Sequence, residues 1–144
     1  MKKFTILLLI ISIGCSKGDT GTSSGSGGGG GTNSNPTVVT EENIAFSIDI
    51  DPGSSVYAAV GANQNAVVNV TSALPKDGIV IDLLVSSNSD NAKVWTNSVS
   101  SVNKTNTIVI DSLKPGILCT AKFTVTSKTK STNTLTKTFS IVRK

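Results

Sequence analysis

The stretch that decides the fold is residues 106–125, which read NTIVIDSLKPGILCTAKFTV. Beyond Pro115 apolar residues alternate with threonine or lysine. Successive side chains of a β-strand point to opposite faces, so this alternation predicts a strand with one buried and one exposed face. The Pro115-Gly116 pair that precedes it predicts a turn. The residues on the predicted buried face are Cys119, Ala121, Phe123 and Val125.

The same period of two continues on both sides of this stretch. Residues 79–85 are apolar on both faces, which is typical of a central strand. Short edge strands are predicted at residues 56–60 and 93–97, and no stretch has the 3.6-residue period of an amphipathic helix. Seven or eight short strands separated by turns predict an all-β domain, folded as an antiparallel two-sheet sandwich. The other alternating segments are residues 44–50, 66–72, 107–110 and 134–142.

The turn Leu113-Lys114-Pro115-Gly116, followed by an alternating strand, resembles the junction between the fifth and sixth strands of fibronectin type III and related immunoglobulin-like domains. The resemblance implies a sandwich of that type. In the family a tyrosine of this corner lies three residues after the glycine, whereas this chain has Cys119 there and lacks the corner hydrogen bond. Because such domains carry many unrelated functions, the resemblance implies a fold and no activity.

Residues 1–14 have the organisation of a signal peptide. Two lysines precede residues 4–13 (FTILLLIISI), an apolar stretch too short to span a membrane. Gly14 directly before Cys15 resembles the end of the lipobox of bacterial lipoproteins, with Ser12 in place of the usual leucine. The resemblance implies cleavage before Cys15 and attachment of acyl chains such as palmitate to that residue. Two or more buried acyl chains anchor a protein to a membrane stably.

The residues after Cys15 indicate where the protein is located and how far its domain can extend from the lipid. Lys17-Gly18-Asp19 resembles the export tag of surface lipoproteins in one group of Gram-negative bacteria, with one acid instead of two adjacent acids. The resemblance implies an outer-membrane lipoprotein, at the cell surface rather than on the periplasmic face. Residues 20–35 (TGTSSGSGGGGGTNSN) cannot bury a core, so residues 15–36 are predicted to be a flexible tether with a reach on the order of 25 Å. The sandwich domain is assigned to residues 37–144.

The composition argues against an enzyme. The chain has no histidine, which removes the commonest general base and metal ligand. Cys119 is predicted to be a buried free thiol, because its strand phase points inward and Cys15 is reserved for lipid. We therefore predict no catalytic residue, no cofactor and no metal. The exception left open is calcium, for which Asp49 and Asp51 together with Asp82 or Asp90 could offer oxygen ligands.

The net charge and the spacing of the lysines also limit the possible binding partners of the protein. The whole chain has a formal charge of +4, but without Lys2 and Lys3 it has 11 basic and 9 acidic residues, which leaves +2. The lysines are scattered and have no interleaved aromatic residues, which argues against nucleic acid. The membrane, through Cys15, is therefore the first predicted partner.

Two functions fit these observations. The favoured one is a non-catalytic interaction domain that acts in adhesion, in assembly or as an accessory subunit, with an unidentified partner. The alternative is a surface glycan-binding module that uses Trp95, with help from Tyr57. The favoured interpretation of Trp95 itself is packing over the edge of the core. Separately, Ser112 lies in Asp111-Ser112-Leu113, which resembles the O-glycan acceptor tripeptide of the same bacterial group.

Overall fold

Eight β-strands form the regular structure of residues 40–144, which are the residues that the computed structural model describes. The predictions on Cys15, the signal peptide and the tether lie outside the described residues. No helix long and apolar enough to cross a membrane occurs in this part of the chain. The strands are β1 (Phe46–Ile48), β2 (Val56–Ala59), β3 (Gln64–Val70), β4 (Ile79–Ser87), β5 (Lys93–Ser101), β6 (Thr105–Ile110), β7 (Leu118–Ser127) and β8 (Thr134–Arg143).

The strands form two sheets, with the orders β1-β3-β6 and β2-β8-β7-β4-β5. This arrangement confirms the all-β, two-sheet sandwich. Every pair is antiparallel except β2 with β8, which is parallel. The parallel pair arises because the chain passes from one sheet to the other between β1 and β2 without reversing its direction.

The inner faces of the two sheets share one hydrophobic core. Val68 and Ile108 contribute from the three-stranded sheet, and Ile81 and Phe123 contribute from the five-stranded sheet. Phe123 stacks on Phe139 of the neighbouring strand, with ring centroids 6.0 Å apart and planes inclined by 13°. The inward phase predicted for β7 is confirmed, since Cys119, Ala121, Phe123 and Val125 are all at most 1% exposed.

The strand directions define two ends of the sandwich. The N-terminal end holds residues 40–45 and the turns that join β3 to β4, β5 to β6 and β7 to β8. The C-terminal end holds Lys144 and the connections at residues 60–63, 88–92 and 111–117. The chain therefore enters the sandwich at one end and finishes at the other.

A buried asparagine fastens the entering chain at the N-terminal end. Asn133, in the turn between β7 and β8, is only 7% exposed. Its Oδ1 accepts a hydrogen bond from the Ile44 backbone N–H at 2.9 Å. Its Nδ2 donates to Glu41 Oε1 at 2.5 Å and to the Glu42 carbonyl at 2.8 Å. These three bonds hold the segment before β1 against the five-stranded sheet.

The same segment is also fastened to the three-stranded sheet. The Ser72 hydroxyl accepts a hydrogen bond from the Ala45 backbone N–H at 3.2 Å. The Glu42 carboxylate accepts one from the Ala73 N–H at 2.7 Å. Residues 41–45 therefore bridge both sheets.

Candidate functional site

The two aromatic residues of the glycan hypothesis lie far apart. Tyr57 is on β2 and Trp95 is on β5, and these strands are the opposite edges of the five-stranded sheet. Four strand spacings of roughly 4.8 Å put about 19 Å between them. Tyr57 is paired with buried Ile141 and Trp95 with buried Val85, so both side chains point toward the core. The structure does not bring them together on one exposed face.

Trp95 closes an edge of the sandwich, as the packing interpretation predicts. Its ring is half-buried and packs against the core. Its indole Nε1–H donates a hydrogen bond to the backbone carbonyl of Val109, in the other sheet, at 3.1 Å. The side chain thus joins β5 to β6, and its polar atom already has a partner within the protein.

Ser112 is exposed in the connection between β6 and β7. Its φ of +63° lies in the left-handed region, which is uncommon for serine. The backbone N–H of Ser112 donates to the Asp111 carboxylate, and the next residue, Leu113, is buried in the core. The side chain is therefore presented at the surface by an anchored loop, and its O-glycosylation stays a prediction.

Cys119 is a free cysteine whose thiol is buried, as predicted. Its Sγ donates weakly to the Ile117 carbonyl at 3.7 Å. Burial raises the pKa of the thiol above its ordinary value, and the nearby Asp90 carboxylate raises it further. A nucleophilic cysteine needs a lowered pKa, so this environment is that of a structural thiol.

The four acids of the calcium hypothesis are spread over the domain. Asp49 and Asp51 each accept a backbone N–H, from Val67 at 2.7 Å and from Gly53 at 2.9 Å. Asp82, in the middle of β4, accepts the Ser98 hydroxyl at 2.6 Å. Within residues 40–144 no three acidic or cysteine side chains are grouped so that they can hold a metal ion.

The fourth acid, Asp90, stabilises the turn between β4 and β5. Its Oδ1 accepts the Ala92 backbone N–H at 3.1 Å. That hydrogen bond, and after it one from Ser87, lowers the pKa of Asp90 below its ordinary value. The carboxylate is therefore ionised and engaged within its own turn.

A cleft of about 320 Å³ opens at the C-terminal end. It lies between the β4–β5 turn and the connection at residues 111–117. Cys119 and Val94 contribute apolar surface at its base, while Lys93 and Lys114 approach it from different segments of the chain. The structure thus brings together residues that no sequence pattern groups.

An apolar patch covers the outer face of the five-stranded sheet at the same end. Leu118 is directly opposite Val142, which is in turn opposite Ala58. Val56 and Leu118 are 48% and 40% exposed, and Val60, just beyond β2, is 89% exposed. We call these five residues, Val56, Ala58, Val60, Leu118 and Val142, the C-terminal patch.

Hydrogen bonds hold the loops of the C-terminal end in place. The Leu113 N–H donates to the Ala62 carbonyl at 3.1 Å, which joins two of the three connections. The Asn88 N–H donates to the Leu118 carbonyl at 2.9 Å, and the Thr120 hydroxyl donates to Asn88 Oδ1 at 2.8 Å. The cleft and the C-terminal patch therefore lie on an ordered surface.

Comparisons of the chain with protein-family models, with characterised proteins and with solved structures find no match.

Proposed function

We propose that this chain is an outer-membrane lipoprotein, anchored at the cell surface through lipid on Cys15, whose sandwich is a non-catalytic interaction domain. The support for the anchor is the order of residues 1–15, in which a basic start, a short apolar stretch and Gly14-Cys15 follow one another. The support for a non-catalytic role is the chemistry of the domain. It lacks histidine, and its cysteine is buried with a raised pKa.

The observation that carries the proposal is the placement of the two ends. The described chain begins with residues 40–45 at the N-terminal end, so a partner that binds the C-terminal end contacts the sandwich away from the point at which the preceding residues are attached. A ten-residue strand such as β7 is about 33 Å long, which sets the distance between the two ends. The C-terminal end is the one that carries the C-terminal patch.

The C-terminal patch favours a protein partner over a glycan. Its side chains are aliphatic, and burial of an aliphatic surface by a complementary protein surface is favourable by roughly 25 cal/mol per Å². Exposed clusters of this kind mark interaction sites in soluble domains. Glycan binding by Trp95 and Tyr57 has less support, because both aromatic residues point toward the core at opposite edges of one sheet.

We also propose that the sandwich is of the immunoglobulin-like or fibronectin type III type. The sheet orders β1-β3-β6 and β8-β7-β4-β5 support this, because the first, second and fifth strands of such domains share one sheet. In that comparison β2 is an addition at one edge. The turn before β7 gives further support, since Leu113 is 2% exposed and Gly116 has a φ of +72°.

The experiment is site-specific photocrosslinking with the full chain in intact cells. A photoreactive residue at Val60 should give a discrete adduct with one envelope protein, and the same residue at exposed Thr132, at the N-terminal end, should not. Adding Leu118→Lys should reduce the Val60 adduct strongly, because an ammonium group would enter the apolar contact. Equal adducts from both positions, or an adduct unaffected by Leu118→Lys, would contradict the proposal.

A further inference from the structure

We propose that the cleft at the C-terminal end binds a small ligand that carries a carboxylate on an aliphatic body. The site is formed by the β4–β5 turn, the start of β5, residues 111–117 and the start of β7 at Cys119. It is separate from the C-terminal patch and does not depend on the lipid anchor.

The charges around the cleft favour an anion. Lys93 and Lys114 both line it, and the carboxylate that lines it belongs to Asp90. Asp90 accepts the Ala92 N–H within its own turn, but its carboxylate keeps its charge, so two lysines and one carboxylate leave the lining with one net positive charge. This excess of positive charge comes from two separate segments and favours an anionic ligand group.

The base of the cleft favours an aliphatic body. Val94 is half-buried and Cys119 is 1% exposed, and neither offers a strong hydrogen-bonding group. Ile117, which is 41% exposed, also lines the cleft. A volume of about 320 Å³ is at the small end of the range for ligand pockets, which is several hundred Å³. The cleft thus has room for a small ligand with an aliphatic body.

Polar groups are also in place to orient such a ligand. The hydroxyls of Ser87 and Ser89 are 2.9 Å apart, and the Ser89 oxygen can accept a further hydrogen bond. The backbone on both sides of the cleft is unusual. Asn91 and Ser112, with φ of +56° and +63°, are the non-glycine residues of the described chain with positive φ, and they lie in the two segments that border it.

The test is a titration of the full chain in detergent micelles with N-acetylleucine, which joins a carboxylate to an aliphatic side chain. Binding is measured by calorimetry, and the fluorescence of Trp95, the only tryptophan of the chain and the neighbour of the lining residue Val94, is a second readout. We expect a saturable change. The neutral analogue N-acetylleucinamide should bind more weakly, and inorganic phosphate should not compete.

Charge variants test the assignment of the two lysines. The double variant Lys93→Gln/Lys114→Gln should weaken N-acetylleucine binding roughly five- to twenty-fold, because it removes two exposed charge contacts. The matched control Lys128→Gln/Lys130→Gln removes the same charge at the N-terminal end and should leave binding unchanged. All four side chains are exposed, so both variants should keep the wild-type melting temperature.

Several results would overturn the proposal: no saturable change, equal affinity for the acid and the amide, competition by phosphate, or equal weakening by the control pair. A peptide that ends in leucine with a free carboxylate distinguishes the two sources of the ligand. Tighter binding of that peptide than of N-acetylleucine indicates a peptide C-terminus, and equal or weaker binding indicates a free small acid. The photocrosslinking experiment fails or succeeds independently of either result.

Discussion

Replacing Asn133 with alanine tests how the entering chain is held. The variant leaves the buried Ile44 N–H without an acceptor, which costs about 2 kcal/mol. It also removes the two hydrogen bonds that Asn133 donates to Glu41 and Glu42. Because water can partly replace these two bonds, their loss lowers the free energy of unfolding by only about 1 kcal/mol more. We therefore expect Asn133→Ala to lower the free energy of unfolding by about 3 kcal/mol.

The assay is urea unfolding followed by Trp95 fluorescence and circular dichroism, combined with amide hydrogen exchange. In the variant the Ile44 amide should exchange much faster than the amides of β4, because the segment before β1 is released while the central strands stay intact. The control is Thr132→Ala, an exposed neighbour in the same turn, which should change the free energy by less than about 0.5 kcal/mol. A loss below about 1 kcal/mol for Asn133→Ala, or an Ile44 amide that stays protected, would refute this account of the N-terminal end.

Three further predictions concern the core and its turns. Trp95→Phe should cost about 1 kcal/mol in urea unfolding, because it removes the hydrogen bond to the Val109 carbonyl but keeps an aromatic ring; no loss would show that the bond is unimportant. Gly116→Ala should cost about 1 kcal/mol, from its positive φ alone, since a Cβ there meets nothing within 4 Å. Gly78→Ala should cost clearly more, since its Cβ would come within 2.3 Å of the Ser101 carbonyl oxygen, and equal losses would contradict the structure. Burial raises the pKa of Cys119. The buried thiol therefore contributes fully to the free energy of unfolding below the pKa of an unfolded cysteine, and this contribution declines as the pH rises above that pKa. Iodoacetamide should therefore label native Cys119 far more slowly than denatured Cys119 at every pH up to that range, and equal rates would show that the thiol is not buried.

The sequence predicted the parts of the fold that depend on local alternation. In β7 the inward positions are fixed by a strict period of two, so the burial of Cys119 and Phe123 follows from the strand assignment alone. The same holds for the apolar run of β4, which is flanked by two strands in the sheet. The interpretation of Trp95 as an edge residue packed on the core also follows from one polar tip on a large apolar ring.

Features that depend on contacts between distant residues could not be predicted. The four residues of β2 carry no pattern that selects β8 as a parallel partner, so the sequence indicated only an edge strand. In the sequence Asn133 is an ordinary turn residue. Its role in holding the entering chain depends on Ile44, which is 89 positions away. The separation of Tyr57 from Trp95 follows from the order of strands in the sheet, which alternation does not specify. The cleft likewise joins segments whose proximity only the fold provides.

The central claim is that the sandwich is held at a membrane by lipid on Cys15, and one measurement tests it most directly. Mass spectrometry of the protein purified from its native envelope should find a mature N-terminal peptide that begins at Cys15 and carries two or three acyl chains. In the Cys15→Ala variant the same analysis should find the precursor uncleaved, with residues 1–14 still attached. A mature N-terminus at another residue, or an unmodified Cys15, would contradict the claim.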